Sequence, residues 1–224
     1  DDNISAVHAV IDGEVVTVDP YVGRAIGAGG SAITTASDMT HWLTTLLAGG
    51  AADGQQVVQP ETVRTMFDPV IASEVSFTET PPISPTAGFS YGLGWGNFHW
   101  RGYEILEKGG ALPGVRTVVN LVPELELGIA VMANLNLTFL PEAIRAFVLE
   151  QFIGPADTDM QADIRALATQ LDAAFAPPVP PADAQPPQVP LDDLAGTYDQ
   201  DFLGPITVIA EGDTLRIEAG PAAR

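Results

Sequence analysis

Apolar side chains recur at helical spacing in four segments of the chain. The first segment has one apolar face, formed by Met39, Trp42, Leu43, Leu46 and Leu47. Thr35 stands three residues before Asp38, which is the spacing of a capped helix N-terminus, and two glycines at 49–50 follow the last apolar position. The pattern predicts a helix that begins at Thr35 and ends before these glycines.

Prolines or glycines bound the next two helical segments. Pro60 opens the second and Pro69 follows it. Its predicted inward residues are Val63, Met66 and Phe67. Pro141 opens the third, which a Gly-Pro pair at 154–155 ends, and its predicted inward residues are Ile144, Phe147 and Val148. The fourth segment begins near Asp163, and its predicted inward residues are Ile164, Leu167, Leu171 and Phe175.

Elsewhere the apolar period changes to two, which is typical of strands. Residues 7–11 and 14–18 predict a short hairpin with Asp12 and Gly13 in its turn. Beyond a predicted loop at 73–88, strands are expected around Leu93 and Trp95, then at 103–106, 115–122 and 127–133.

The short connections between these strands predict an antiparallel meander. The continuous apolar run at 128–133 predicts a central strand that helices cover on both faces. The predicted fold class is therefore α/β (α+β), with an antiparallel sheet covered by helices.

Prolines divide the chain towards its end. Seven of them lie in the fifteen residues 176–190, a composition that stiffens the backbone and does not form a packed core. We therefore predict a first domain over 1–175, a linker over 176–190 and a second domain over 191–224. The second domain offers two or three strands, fewer than an independent β domain usually needs, so we expect it to be truncated.

The composition limits the partners that the chain can have. Acidic residues number 29 and basic residues 9, which gives a net charge of -20 and argues against nucleic acid or an anionic membrane as a partner. No apolar run reaches the 18 residues of a membrane span. Cysteine is absent and His8, His41 and His99 lack metal-ligand spacing, so we expect no metal and no cofactor.

Lys108 is the only lysine of the chain, and it opens the run KGGALPG at 108–114. A lysine in a partly dry cleft can move a proton or orient an anion. Gly109 and Gly110 have no Cβ, so a substrate can lie against this strand edge, and the N–H of Ala111 is a candidate oxyanion donor. The alternative is a solvated lysine beside a glycine pair in a hairpin or loop.

Five segments occur in an order and spacing that resembles the second half of the serine β-lactamase and penicillin-binding protein superfamily. They are GSAITTASDM at 30–39, YGLGW at 91–95, KGGALPG at 108–114, LVPE at 121–124 and GIAVMAN at 128–134. The resemblance spans about residues 29–152 and is nearest to class C β-lactamases and their esterase and D-aminopeptidase relatives. It implies an incomplete β-lactamase/transpeptidase-like fold, an acyl-enzyme mechanism, and a periplasmic or secreted location. It also implies that 191–224 is the start of a small lipocalin-like β-barrel.

The resemblance assigns roles to the residues that match the third family motif, Lys-Thr-Gly or His-x-Gly. It implies that Lys108 belongs to the electrostatic and proton network and that the N–H of Ala111 forms half of the oxyanion hole. It also implies that Gly109 and Gly110 lie against the substrate.

Two positions leave the substrate open. Relatives carry a Thr or Ser hydroxyl where this chain has Gly109, and that hydroxyl binds the substrate carboxylate. The departure favours an ester, amide or small-peptide substrate over a β-lactam. Asn136 resembles a position near the substrate carboxylate in class C enzymes, although a polar cap at the end of a strand is the alternative that its position favours.

Two family motifs are absent from the chain. The nucleophile motif Ser-x-x-Lys would need a serine three residues before Lys108, where the chain has Ile105. The second motif, Tyr-x-Asn or Tyr-x-Ser, follows none of the four tyrosines. Because the chain starts with neither an initiator Met nor a signal-peptide pattern, we expect it to be the C-terminal part of a longer serine hydrolase.

The expected partners follow from this hypothesis. They are a small-molecule or peptide substrate and a missing N-terminal portion, or a second chain, that carries the nucleophile. One alternative hypothesis is a non-catalytic binding or sensor module that kept the fold, and another is an acidic α/β domain of unrelated role.

The isolated chain is expected to form no covalent adduct with a fluorophosphonate or an activated penicillin, because it has no Ser-x-x-Lys pair to activate a nucleophile. Intact-mass spectrometry after incubation checks this expectation. A stoichiometric adduct would place the nucleophile in this chain and contradict the hypothesis.

Overall fold

The structure is a computed structural model that describes residues 4–11, 13–20, 27–73, 87–175, 185, 187–199 and 205–219. The chain divides into two compact units, a larger one with 1–20 and 33–175 and a smaller one with 21–32 and 176–224. Most of the predicted linker at 176–190 lies outside the described residues, so the predicted domain boundaries stay a prediction.

The larger unit has ten strands among its described residues. They are β1 (Val7–Ile11), β2 (Glu14–Val18), β3 (Ala51–Ala52), β4 (Gln55–Gln56), β5 (Ile71–Ser73), β6 (Ala87–Tyr91), β7 (Gly96–Trp100), β8 (Tyr103–Leu112), β9 (Val115–Val122) and β10 (Leu127–Ala133). The described helices of the chain are α1 (Gly27–Gly30), α2 (Ala36–Leu47), α3 (Pro60–Phe67), α4 (Leu140–Ile153), α5 (Met160–Phe175) and α6 (Leu191–Leu194).

The main sheet is an antiparallel meander with the strand order β10-β9-β8-β7-β6-β5. The predictions of a meander covered by helices and of the β1–β2 hairpin are confirmed. The prediction of a central strand at 128–133 is wrong, because β10 lies at the edge of the sheet. Helix α2 covers one face of β10 and α4 covers the other, which explains its continuous apolar run. Such a run therefore indicates that both faces of a strand are covered, and not that the strand is central in the sheet.

Strand boundaries differ from the prediction at two places. Leu93 and Trp95 lie in the connection between β6 and β7 and not in a strand. Strand β8 continues to Leu112, six residues beyond the predicted end at Leu106, and so carries the Lys-Gly-Gly run. The ends of the predicted loop at 73–88 belong to β5 and β6, and 74–86 lie outside the described residues.

Helix α2 has the predicted cap. Thr35 Oγ1 accepts the N–H of Asp38 at 3.1 Å and donates to Asp38 Oδ2 at 2.9 Å. Leu43 and Leu46 are buried, whereas Trp42, predicted to face inward, is 40% exposed. Trp42 lies at the margin of the apolar face, where its ring covers the surface and does not enter the core. Helix α3 has the predicted bounds and buries Val63.

Helix α4 differs from the prediction at two of its three predicted inward residues. Ile144 and Phe147 are 39% and 57% exposed. The inward side carries Pro141, Glu142, Arg145, Ala146 and Leu149. Val148 packs against the core as predicted. The prediction was wrong for Ile144 and Phe147, because charged residues of α4 have charged partners on the sheet and these pairs take the inward positions.

Helix α5 begins three residues earlier than predicted. Asp159 Oδ1 accepts the N–H of Ala162 at 3.0 Å, which caps the helix start. Ile164 is buried as predicted, and the side chains at 171 and 175 lie outside the described residues.

The two faces of the sheet pack against different helices. One core, on the face of α4 and α5, includes Phe98, Ile105 and Leu149. The other, on the face of α2 and α3, is smaller and includes Leu46 and Leu106. Neighbouring residues of β8 therefore enter different cores.

The hairpin β1–β2 contacts the ends of the main sheet. His8 N donates to Gly114 O at 3.4 Å and to Asn134 O at 3.0 Å. Gly114 has φ +85, and a Cβ at this position would lie 2.6 Å from Val7 Cβ. Glycine therefore allows both the turn between β8 and β9 and the close approach of β1.

The smaller unit contains a three-stranded antiparallel sheet of β11 (Gly196–Tyr198), β12 (Ile206–Glu211) and β13 (Thr214–Ala219). Tyr198 Oη donates to Leu194 O at 2.8 Å, which ties β11 to the preceding helix α6. The strands described in this unit do not close into a barrel. Across the described part of the chain, none of the helices has the length and apolarity needed to cross a bilayer.

Thr35→Ala is expected to lower the free energy of unfolding by about 1 kcal/mol, because the N–H of Asp38 loses its acceptor at the start of α2. Urea denaturation followed by circular dichroism measures the change. Thr34→Ala is the matched control, since the neighbouring Thr34 is exposed and makes only a 3.5 Å bond to Thr35 O. Equal stability of the two variants would contradict the cap.

Candidate active site

Strand β8 loses one of its two neighbours halfway along its length. Pairing with β7 ends at Gly96 and Glu107, whereas pairing with β9 continues to Leu112 and Val115. Residues 108–112, here called the half-paired segment, therefore have a strand neighbour on one side only among the described residues. Backbone groups on the other side of such a segment can bind an extended ligand.

The half-paired segment contains four of the predicted site residues. Lys108, Gly110 and Ala111 are exposed, and Gly109 is partly exposed. Gly110 is opposite Thr117, whose hydroxyl would lie 3.1 Å from a Cβ at position 110. A glycine at 110 thus lets the Thr117 side chain lie close to the strand.

Lys108 lies on the sheet face that α2 and α3 cover further along the strand. Leu106, two residues earlier, is in the α2 core, and side chains two residues apart share a face. Glu107 points to the opposite face and is 1% exposed. The lysine thus lies just beyond the packed end of its face.

Tyr91 is the contact partner of Lys108. Lys108 Nζ donates to Tyr91 Oη at 3.1 Å and lies 5.8 Å from the centroid of the tyrosine ring. The meander brings the two residues near each other, because Tyr91 pairs with Gly96 and Gly96 pairs with Glu107, the residue before Lys108. This register gives Tyr91 the sheet face of Glu107, so the contact joins side chains of the two faces at the start of β7. A phenol oxygen at this distance fixes the direction of the ammonium group.

Sequence reasoning assigned Tyr91 only to the start of a strand and missed this contact. The available signal was its place in the YGLGW run, two strands before β8. The register that places it beside Lys108 depends on the connection between β6 and β7, which the apolar pattern misassigned to a strand.

Asn136 lies away from this contact. It follows β10, the strand two places from β8 in the sheet, and its N–H donates to His8 O at 3.2 Å. Its Oδ1 is buried without a hydrogen-bond partner among the described residues. In the part of the chain that the structure describes, no hydrogen bond joins Asn136 to Lys108, and its backbone contact favours the structural alternative.

A cavity of about 380 Å³ lies on the same sheet face, between α2, α3 and the strands β7 to β9. Its apolar lining includes Leu46 and Leu106, and Asn97 Nδ2 donates to Glu104 Oε1 at 2.7 Å in its wall. Lys108 does not line it. The described residues therefore place the lysine at an open surface beside the cavity.

The described histidines take no part in this site. His41 is exposed, with Nδ1 2.9 Å from Ser37 O, and His99 is exposed on β7. In the described ranges, no group of three or more His, Cys, Asp or Glu side chains could hold a metal ion.

Comparisons with known proteins identify the family of this chain. A family model described as Beta-lactamase matches residues 3–151. The curated protein "Unguisins hydrolase ungD" from Aspergillus violaceofuscus is 25% identical over 210 residues, which are 87% of this chain and 37% of that protein. The chain thus spans little more than a third of that relative. The solved "Crystal structure of SurE" is 21% identical with a TM-score of 0.48, and the match covers 97% of this chain and 44% of that one.

Tyr91→Phe is expected to move the NMR signal of Lys108, because it removes the hydroxyl group 3.1 Å from Nζ. Since Lys108 is the only lysine, a chain grown with isotope-labelled lysine gives a single set of side-chain signals. Tyr103→Phe is the matched control, because Tyr103 is a second tyrosine of the same sheet that packs against the same core. Identical lysine spectra for Tyr91→Phe and the parent chain would contradict the contact.

Proposed function

The chain is a member of the β-lactamase family, and we propose that it forms one wall of the active site of a class C-like serine hydrolase. The observation that carries the proposal is the Lys108 ammonium group, held by Tyr91 at the start of the half-paired segment. A positioned cation beside exposed backbone groups is the arrangement that stabilises developing negative charge in acyl transfer.

In this proposal the chain's residues act on a reaction whose nucleophile lies elsewhere. A serine from another polypeptide portion, or from a second chain, attacks the substrate carbonyl and gives up its proton to the network. The tetrahedral intermediate expels the alcohol or amine, which takes a proton, and leaves an acyl-enzyme that water then hydrolyses. Lys108 supports the proton network around that serine, and the N–H of Ala111 donates to the tetrahedral oxyanion. Gly109 and Gly110 let the substrate approach the strand. Tyr91 keeps the lysine side chain in place.

The substrate that we propose is an ester, an amide or a small peptide. Gly109 offers no hydroxyl to a substrate carboxylate, which disfavours strong recognition of a β-lactam. The relative named as a hydrolase supports hydrolysis as the reaction. We propose a periplasmic or secreted location on the family resemblance.

A non-catalytic binding or sensor module is the second candidate. The observation that favours it is the absence of Ser-x-x-Lys, since Lys108 is the only lysine and Ile105 stands three residues before it. The half-paired segment can bind an extended ligand without any nucleophile. The serine hydrolase requires that the complete protein forms an acyl-enzyme, whereas the binding module does not.

Lys108→Ala is expected to slow acylation of the complete protein, joined to the portion that carries Ser-x-x-Lys, by about 10²–10³-fold, because one charge stabilising the transition state is lost. Stopped-flow kinetics with a chromogenic ester measures the rate, and circular dichroism confirms that the variant folds. Arg165→Ala, which removes an exposed cation from α5, is the matched control and should leave the rate unchanged.

Two results would count against the enzyme. A normal acylation rate in Lys108→Ala would remove the lysine from the mechanism. No acylation by the complete parent protein, with ligand binding retained, would favour the binding module.

A further inference from the structure

Four charged side chains are buried between the main sheet and α4. The exposed fractions of Glu107, Arg116, Glu142 and Arg145 are 1%, 5%, 3% and 0%. Arg145 Nη1 donates to Glu107 Oε2, and Arg116 Nε donates to Glu142 Oε1 at 2.8 Å. Two cations and two anions make this group, here called the buried charge cluster, electrically neutral.

The two ion pairs act as one cluster. Burial lowers the pKa of the Arg145 guanidinium, and the carboxylates of both Glu107 and Glu142 oppose this shift. Asn120 Nδ2 lies 3.5 Å from Glu107 Oε2 and 3.4 Å from Leu106 O. The guanidinium of Arg116 lies 4.2 Å from the centroid of the Phe139 ring.

The cluster lies beneath both ends of the segment that carries the proposed chemistry. Glu107 directly precedes Lys108, and Arg116 pairs across the sheet with Ala111. Their partners Glu142 and Arg145 lie three residues apart on the inward side of α4. Helix α4 is therefore bonded to Glu107, the last residue of β8 that pairs with β7, and through Arg116 to the strand neighbour of Ala111 in the half-paired segment.

Stability alone does not account for such a cluster. Removing charged groups from water raises the free energy of the folded state, and apolar side chains of similar size often give equal or greater stability at such sites. Two directional ion pairs instead fix the position of strands β8 and β9 relative to helix α4. Reaction rates depend on this position, since a displacement of about 1 Å at an active site can cost about 10²-fold in rate.

We propose that Glu107, Arg116, Glu142 and Arg145 are positioning residues, which hold Lys108 and the N–H of Ala111 in the geometry that acyl transfer needs. The inference rests on the proposed function. It adds a role for α4, whose cluster touches neither substrate nor nucleophile.

The test replaces one pair by apolar residues of similar size, Glu107→Leu with Arg145→Met. The double variant is expected to keep or raise its urea midpoint, because two desolvated charges are removed together. Acylation by the complete protein is expected to fall about 10–100-fold, and the NMR signal of Lys108 is expected to move. The matched control is Arg101→Met with Asp157→Leu, an exposed pair that joins the β7–β8 turn to the α4–α5 connection, and it should change neither rate nor spectrum.

The outcomes separate this inference from the proposed function. If the complete parent acylates and the folded double variant acylates equally fast, the positioning role is overturned. If the complete parent does not acylate, the proposed function fails and the role in acyl transfer fails with it. An unchanged lysine spectrum in the folded double variant of the isolated chain overturns the positioning of Lys108 independently of the proposed function. If the double variant does not fold, Glu142→Gln is the second variant. It keeps the size of the side chain that bonds Arg116, the strand neighbour of Ala111, and removes its negative charge. A wild-type rate in that variant overturns the inference.

Discussion

Helix α4 contacts the sheet through two buried ion pairs as well as apolar side chains, and the ion pairs constrain how the helix can pack. Glu107 and Arg145 are both fully enclosed, so each needs the other in place before the helix can pack. This requirement fixes which side of α4 faces inward and leaves Ile144 and Phe147 at the surface. The same ion pair fixes the position of β8 relative to α4. An apolar contact would tolerate sliding, whereas two directional ion pairs do not.

The parts of the fold that depend on local sequence could be predicted. Thr35 caps α2 through its own side chain, and the β1–β2 hairpin follows from alternation around a two-residue turn. The inward side of α4 could not be predicted, because an apolar-periodicity rule places Arg145 outside unless its partner is known. The same holds for Tyr91, whose place beside Lys108 depends on strand register and not on neighbouring residues.

The roles of the candidate site residues stay a prediction, and the structure describes what surrounds these residues. The Lys-Gly-Gly run identified Lys108 and the backbone beside it, and the structure adds Tyr91 as the group that directs the ammonium. The sequence left open whether Lys108 lies in a partly dry cleft or in solvent, and among the described residues its side chain is exposed. The strand with the Lys-Gly-Gly run lies within the residues that match the β-lactamase family. Because the chain has no Ser-x-x-Lys motif, the proposal includes a second polypeptide portion that carries the nucleophile.

The half-paired segment also bears on how the chain avoids wrong assembly. An open strand edge is a template on which another chain can add a strand and begin aggregation. Here that edge starts with a charged lysine and continues with two glycines, which are poor strand formers and give a neighbouring strand no side chains to pack against. The residues proposed for catalysis therefore also protect the edge against β-sheet aggregation.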